Sequence, residues 1–245
     1  MAAIWTQQSG SLAGVTGYDG RRAYWLHDDM MISMRYARNL AAGDGLVWNA
    51  GQPPVEGYSN FLWVLVMAAV HLLPLPAIYV SLPLLLFNVA LGLIILVMTQ
   101  RLMRRLAPAA GVAIPFGLVA LALAYDFGRW IVLGLETPLL TAVFLWLLLR
   151  LLAEADADRP RPTTFAAMGL LGLIRADGLL LVAILLAVSL ALSPKRGRIL
   201  RLAPLALLLP AAHLAFRLAY YGDWLPNTYY LKVVNRPLRL QAGLD

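Results

Sequence analysis

The chain has 245 residues, 61% of them hydrophobic and only 13% charged, with a formal net charge of +7 and no cysteine. Soluble domains are about half apolar and about a quarter charged, so the composition excludes a soluble globular domain and indicates an integral membrane protein. It also excludes disulfides, cysteine–zinc sites and thiol catalysis, and three histidines without a His-Glu-x-x-His pattern exclude a histidine-rich metal site.

Residues 1–26 are weakly polar and unpatterned, and read as loop or disorder. No continuous apolar run in Met1 to Tyr24 suggests a signal peptide or a span ahead of His27. Residues 27–76 read as a juxtamembrane platform on the outer side. The platform starts with the adjacent carboxylates Asp28 and Asp29 and continues as a short amphipathic helix. Met30, Met31, Met34 and Ala37 lie near one face of that helix, with Arg35 and Arg38 on the other. Gly43-Asp44-Gly45 ends it. Tyr58 to Leu75 is apolar but shorter than the ~20 residues a span needs, so it reads as a helix in or dipping into the interface, anchored by Trp63.

Residues 77–221 form the predicted transmembrane core of about six apolar runs. Ile78 to Met98 is a span ending at Arg101, Arg104 and Arg105. Gly111 to Tyr125 is a second span, followed by a loop at Asp126-Phe127-Gly128-Arg129-Trp130. Leu139 to Leu152 is a third, entered through Gly134-Leu135-Glu136-Thr137-Pro138, and a charged linker runs from Ala153 to Thr164. Phe165 to Ile174 and Leu179 to Leu192 are two short runs divided by Arg175-Ala176-Asp177-Gly178. Leu202 to Tyr221 is the last span. Residues 222–245 read as an outer aromatic and polar tail, expected to be cut short.

Basic residues concentrate in three loops: Arg101/Arg104/Arg105, Arg159/Arg161 and Lys195/Arg196/Arg198/Arg201. The positive-inside rule puts these in the cytoplasm and accounts for the net charge without a nucleic-acid partner. Asp28, Arg129, Glu136, Arg175, Asp177 and the stretch Asp223 to Lys232 then share the periplasmic or exterior face.

Several of these groups could carry chemistry. Asp28 and Asp29 can cap a helix start, or one can act as a general base while the other pairs with a cation, a metal or a substrate hydroxyl. Glu136 is either a helix-start acid before Pro138 or a functional carboxylate at a membrane boundary. Arg175 and Asp177 form either a structural ion pair or a phosphate site built on the arginine fork. Tyr220, Tyr221, Trp224, Tyr229 and Tyr230 read most simply as an interfacial aromatic belt. His27 beside the acids could tune them; His71 and His213 read as packed or interfacial.

Taken together, His27-Asp28-Asp29, Ile32 to Leu40, Gly43 to Asn49 and Glu56 to Trp63 resemble the GT-C membrane glycosyltransferases. Within them they look most like the terminal arabinofuranosyltransferases of mycobacteria and their relatives. Gly134 to Leu139, Arg175 to Gly178 and Tyr220 to Lys232 extend the likeness from about Tyr24 to the end of the chain. The resemblance implies an all-α, polytopic transmembrane helical bundle of GT-C type, in a bacterial plasma membrane, with its active face outward. It implies transfer of a pentose or hexose from a polyprenyl-phosphate donor to an envelope glycan, lipid or protein acceptor, with inversion. By the same likeness, Asp28 or Asp29 is the catalytic base, and the second acidic site maps to Glu136. The substrate-binding set becomes Glu56, Tyr58, Glu136, Arg175, Asp177, Asn227 and Lys232. A divalent cation at Asp28 and Asp29 stays open, and no other cofactor is implied. Such enzymes are longer and carry a span before the acid pair, so this chain reads as an N-terminal core piece. The competing readings are a lipid-linked-sugar transporter and an inactive fragment or non-catalytic membrane subunit.

Overall fold

The computed structural model describes residues 15–16, 22–24, 26–111 and 113–233. Most of the predicted N-terminal loop lies outside the described residues. Its described part includes β1 (Val15–Thr16), paired antiparallel with β2 (Arg22–Ala23). Tyr24 donates its N–H to the Ile78 carbonyl, and Leu26 is buried.

The other regular elements among the described residues are helices, and the protein is an all-α membrane protein. The platform contains α1 (Asp28–Ala42) and α2 (Phe61–His71), which pack on each other. Acids in the first turn of α1 complement the positive end of its dipole. Gly43, at φ 89°, ends it: its N–H bonds to Leu40 O and that of Asp44 to Asn39 O, the paired closure a left-handed residue permits. Met30, Met34 and Ala37 are buried as their spacing predicts, together with Ser33, Tyr36 and Asn39. Met31, expected on the same face, is exposed. It lies about 100° from Met30 around the helix and turns away from the core.

The buried polar residues of α1 hold the loop between the two platform helices. The Tyr36 hydroxyl donates to Val55 O at 2.6 Å and accepts from Gly57 N–H; Asn39 Nδ2 donates to Val47 O at 2.8 Å. The loop thus satisfies its backbone on helix side chains rather than on a strand partner.

Beyond the platform come α3 (Ser81–Leu106), α4 (Ala113–Leu123), α5 (Tyr125–Val132), α6 (Thr137–Asp156), α7 (Pro162–Ile174) and α8 (Gly178–Leu192). They are followed by α9 (Arg196–Leu202), α10 (Leu208–Tyr221) and α11 (Asn227–Val233). Among the described residues, three helical stretches are long and apolar enough to cross a membrane: Ala77–Leu106, Thr137–Asp156 and Arg196–Tyr221. A fourth crossing is available to α4 and α5 together, bent by 56°. The segment Asp126 to Trp130, expected as a loop, is therefore helical. The break falls at Ala124, where an extended residue interrupts the ladder, and Gly128 is accommodated inside α5. The linker expected from Ala153 is also shorter, because α6 runs to Asp156. Helices α7 and α8, at 13 and 15 residues, are about 20–22 Å long and fall short of the hydrocarbon thickness, as their sequence runs foretell.

Two larger cores and a small one, where Leu91 and Ile95 of α3 meet Ala142 of α6, hold these layers. One of the larger cores joins α1, α2 and the start of α3 through Met34, Trp63, Met67 and Leu84. The other joins α6, α7, α8 and α9 through Leu147, Phe165, Met168 and Leu185. At Gly169 a side chain would sit 3.0 Å from the Ala206 carbonyl, so glycine is what lets α7 approach the segment entering α10.

The charged groups sort to two ends. At the platform end lie Asp28, Asp29, Glu56, Glu136, Arg175, Asp177 and Arg217. At the opposite end Arg105 pairs with Asp156 and Lys195 with Asp158 at 2.9 Å. There, buried Glu154 accepts bonds from Thr164 Oγ1 and Arg161 N–H, with Arg150 at 3.6 Å.

Candidate active site

A cavity of about 360 Å³ opens at the platform end. One wall is the first turns of α1; the others are the segment Gly57 to Asn60, Trp130 of α5, the turn before α6, and Arg175 between α7 and α8. Thr228 of α11 closes one edge.

The turn before α6 is built to be held. Gly134, at φ 75°, sits where a side chain would strike Leu26 Cδ2 at 2.5 Å. Trp63 Nε1 donates to its carbonyl at 3.1 Å, and Asn88 Nδ2 donates to the next carbonyl, Leu135 O, at 3.0 Å. Pro138 then presets the first helical turn. The outcome is a buried Glu136 at a fixed place. Asn60 Nδ2 donates to its Oε2 at 3.0 Å and Arg175 Nη1 to its Oε1 at 3.2 Å. Ser33 Oγ in turn donates to Asn60 Oδ1 at 2.9 Å. Arg175 completes the network with a fork onto Asp177, Nε to Oδ1 at 2.9 Å and Nη2 to Oδ2 at 3.0 Å. The bidentate bond holds the Asp177 carboxyl below the usual range and raises Arg175. Three of the five Arg175 N–H groups are engaged, and two have no partner among the described residues.

Asp29 lines the cavity; Asp28 does not. Asp28 Oδ1 accepts the Asp29 backbone N–H at 2.9 Å and lies 2.9 Å from His27 Nδ1. Both acids are exposed. The ligand atoms of His27, Asp28 and Asp29 lie within 4.8 Å of one another, the one such grouping among the described residues. Two carboxylate oxygens and an imidazole nitrogen are a donor set that suits a borderline divalent ion.

The remaining sequence-derived candidates divide. Tyr58 lines the cavity with its ring buried, and its hydroxyl lies 3.1 Å from that of Tyr221. Burial pushes the Tyr58 phenol well above its usual range, so it acts as a neutral hydrogen-bonding group. Glu56 does not line the cavity. Its carboxylate is buried against Arg217, with Nε 2.6 Å from Oε2 and Nη2 donating to Oε1 at 3.2 Å. Burial raises the Glu56 carboxyl while Arg217 pulls it back. Its carbonyl accepts the Asn227 N–H at 2.9 Å, tying α11 to the platform. The exposed Asn227 side chain stands beside the cavity-lining Thr228, and the Lys232 side chain lies outside the described residues. Tyr221, read as part of an aromatic belt, is half-buried and donates to Leu46 O at 2.8 Å.

Sequence reasoning passed over Ser33, Asn60 and Trp130 as cavity-lining groups. The signal for Asn60 was present: a polar residue directly before the apolar run Phe61 to Val70. Arg217 carried no local hint of its partner, 161 residues away.

Two curated proteins match the chain. A terminal beta-(1->2)-arabinofuranosyltransferase of Corynebacterium glutamicum is 33% identical over 235 residues, covering 85% of this chain and 33% of that protein. This chain is a sequence relative of that transferase. A protein of the same description from Mycobacterium tuberculosis is 28% identical over 236 residues, covering 91% of this chain and 37% of its own length. The chain therefore spans about a third of the length of these arabinofuranosyltransferases. No protein-family model matches it, and no solved structure does.

Proposed function

We propose that the platform-end cavity is the transfer site of a GT-C membrane glycosyltransferase. It moves arabinofuranose or another pentose or hexose from a polyprenyl-phosphate donor to an acceptor hydroxyl of an envelope glycan, lipid or protein, on the outer face of the plasma membrane. The observation that carries the proposal is Asp29 and Arg175 facing one cavity from different elements.

In this reading Asp29 takes the proton from the acceptor hydroxyl. The oxygen forms the new bond to the anomeric carbon from the side opposite the phosphate. The carbon–oxygen bond to phosphate breaks, and its electron pair leaves with the polyprenyl phosphate. The two open N–H groups of Arg175 steady that developing charge, while Glu136 and Asp177 hold the guanidinium in place. Asp28 orients His27 and the first turn of α1. His27, Asp28 and Asp29 are the residues that would hold a divalent cation if one is used; it would supply positive charge and lower the pKa of a hydroxyl bound to it.

The separation of charged groups to the two ends of the bundle favours this reading over a transporter, which needs polar groups at mid-membrane depth. The test is transfer from a synthetic polyprenyl-phosphate arabinofuranose in proteoliposomes. Asp29→Asn should lower the rate by about 100-fold or more, the scale of general-base catalysis, with folding intact. Equal turnover by the wild type and Asp29→Asn rejects the assignment.

A further inference from the structure

Helix α1 has a second cavity on its other side. Asp29 and Ser33, one turn apart, face the transfer cavity. Met31, Met34, Arg35 and Arg38 project from the opposite face into a cavity of about 440 Å³. His71, the last residue of α2, with Tyr24, Leu75, Ala77, Val80 and Ser81, forms its other walls. Nothing in the transfer reaction uses this space.

Its chemistry is amphipathic in a particular way. The charged groups that line it, Arg35 and Arg38, are both cationic, and no carboxylate is among its lining residues. Arg35 is fixed by Trp48 O at 2.8 Å, by the Asn49 side chain, and by lying 4.1 Å over the Trp48 ring. Those bonds use two of its nitrogens and leave further N–H groups open. Arg38 is exposed. His71 Nε2 is buried without a hydrogen-bond partner among the described residues. Burial, and then the Arg38 charge, lower the affinity of this imidazole for a proton against a smaller opposing pull from the Met34 backbone, and an anion beside Arg38 would offset the Arg38 part. The start of α3 contributes the positive end of a 26-residue helix.

Beside this cationic recess the chain displays Leu72, Leu73 and Leu75 in the turn between α2 and α3, with Leu72 71% exposed. Apolar side chains displayed at a membrane boundary are at home among acyl chains. A soluble anion would have no use for them; a lipid would use both features.

We propose that this cavity binds the headgroup of an anionic phospholipid, its phosphate between Arg38 and His71 and its acyl chains along Leu72, Leu73 and Leu75. The bound lipid fixes the depth of the platform in the leaflet. The inference stands apart from the transfer site and survives if that assignment fails.

The experiment uses the whole chain in zwitterionic detergent, titrated with dioleoylphosphatidylglycerol, dioleoylphosphatidylcholine or inorganic phosphate. Lipid retention is read by native mass spectrometry and the thermal midpoint by intrinsic fluorescence. Phosphatidylglycerol should be retained and raise the midpoint, while phosphatidylcholine and phosphate do neither. Arg38→Gln should weaken retention roughly fivefold, the effect of removing one basic group near an anionic lipid surface. Arg129→Gln, an exposed arginine elsewhere, should leave it unchanged. Should Arg38→Gln fail to fold, Met31→Glu at an exposed position of the same cavity tests the point, by repelling the headgroup to a similar extent. Equal retention of the two lipids, equal protection by phosphate, or unchanged retention in the cavity variants overturns the proposal.

Discussion

Glu56 and Arg217 meet across 161 residues of chain, with Arg217 Nε 2.6 Å from Glu56 Oε2 and both side chains withdrawn from solvent. The contact joins the platform to α10, and the Glu56 carbonyl holds α11 as well. Removing one partner of a buried pair strands the other charge, which costs about 3–5 kcal/mol. Arg217→Met should therefore destabilise the protein by about that amount. Glu56→Gln/Arg217→Met should recover part of the loss, because no uncompensated charge remains. Chemical unfolding of the four proteins of the cycle in detergent measures the coupling; additive losses would contradict it.

Asn60 is the hinge pin between Ser33 and Glu136. Asn60→Ala leaves both groups short of a partner in a buried setting, at a cost of about 1–3 kcal/mol. It should also lower transfer by loosening Glu136 and, through it, Arg175. Thermal unfolding and turnover measured on one preparation check both effects. Asn60→Asp, which places a carboxylate beside Glu136, should be the more damaging change to stability.

The two neighbouring acids should separate kinetically. Asp29 faces the transfer cavity, whereas Asp28 accepts a backbone N–H and contacts His27. Asp28→Asn should retain more activity than Asp29→Asn. Asp28→Ala should cost stability on the scale of a lost helix-start acid, about 0.3–1 kcal/mol. Steady-state rates of the single variants decide; the reverse ranking would move the proton-accepting role to Asp28. A non-catalytic subunit would tolerate both changes.

The Arg175–Asp177 fork makes a pH prediction. Asp177 is held below its ordinary value, so its folded form binds a proton less readily than the unfolded chain does. Its contribution to stability is complete above the usual aspartate range and is lost as pH falls through the lowered value. A carboxyl carbon NMR titration in micelles should place Asp177 below 3.8, the ordinary aspartate value. Arg175→Gln should return it towards that value.

Much of this architecture is legible in the sequence because its causes are local. The carboxylates and buried methionine spacing of α1, closed by Gly43, announce a helix that the structure shows from Asp28 to Ala42. Arg175 and Asp177 stand two residues apart, and the ion pair read from that spacing is there. Other features depend on partners distant in the chain. Met31 satisfies the apolar pattern of α1 but points outward, because α2 covers only part of that helix. Asp126 to Trp130 carries charges and a glycine that suggest a loop, yet α5 forms there and packs on α3. The family resemblance puts Glu56 among the substrate-binding residues, and only the arrival of α10 shows the partner its carboxylate meets, Arg217.

Helix α1 is a party wall. A ligand pressed on its Asp29 side and one pressed on its Arg38 side restrain the same rod, whose two faces cannot shift independently. Whatever factor filling one chamber applies to affinity in the other, thermodynamic reciprocity returns the same factor in the opposite direction.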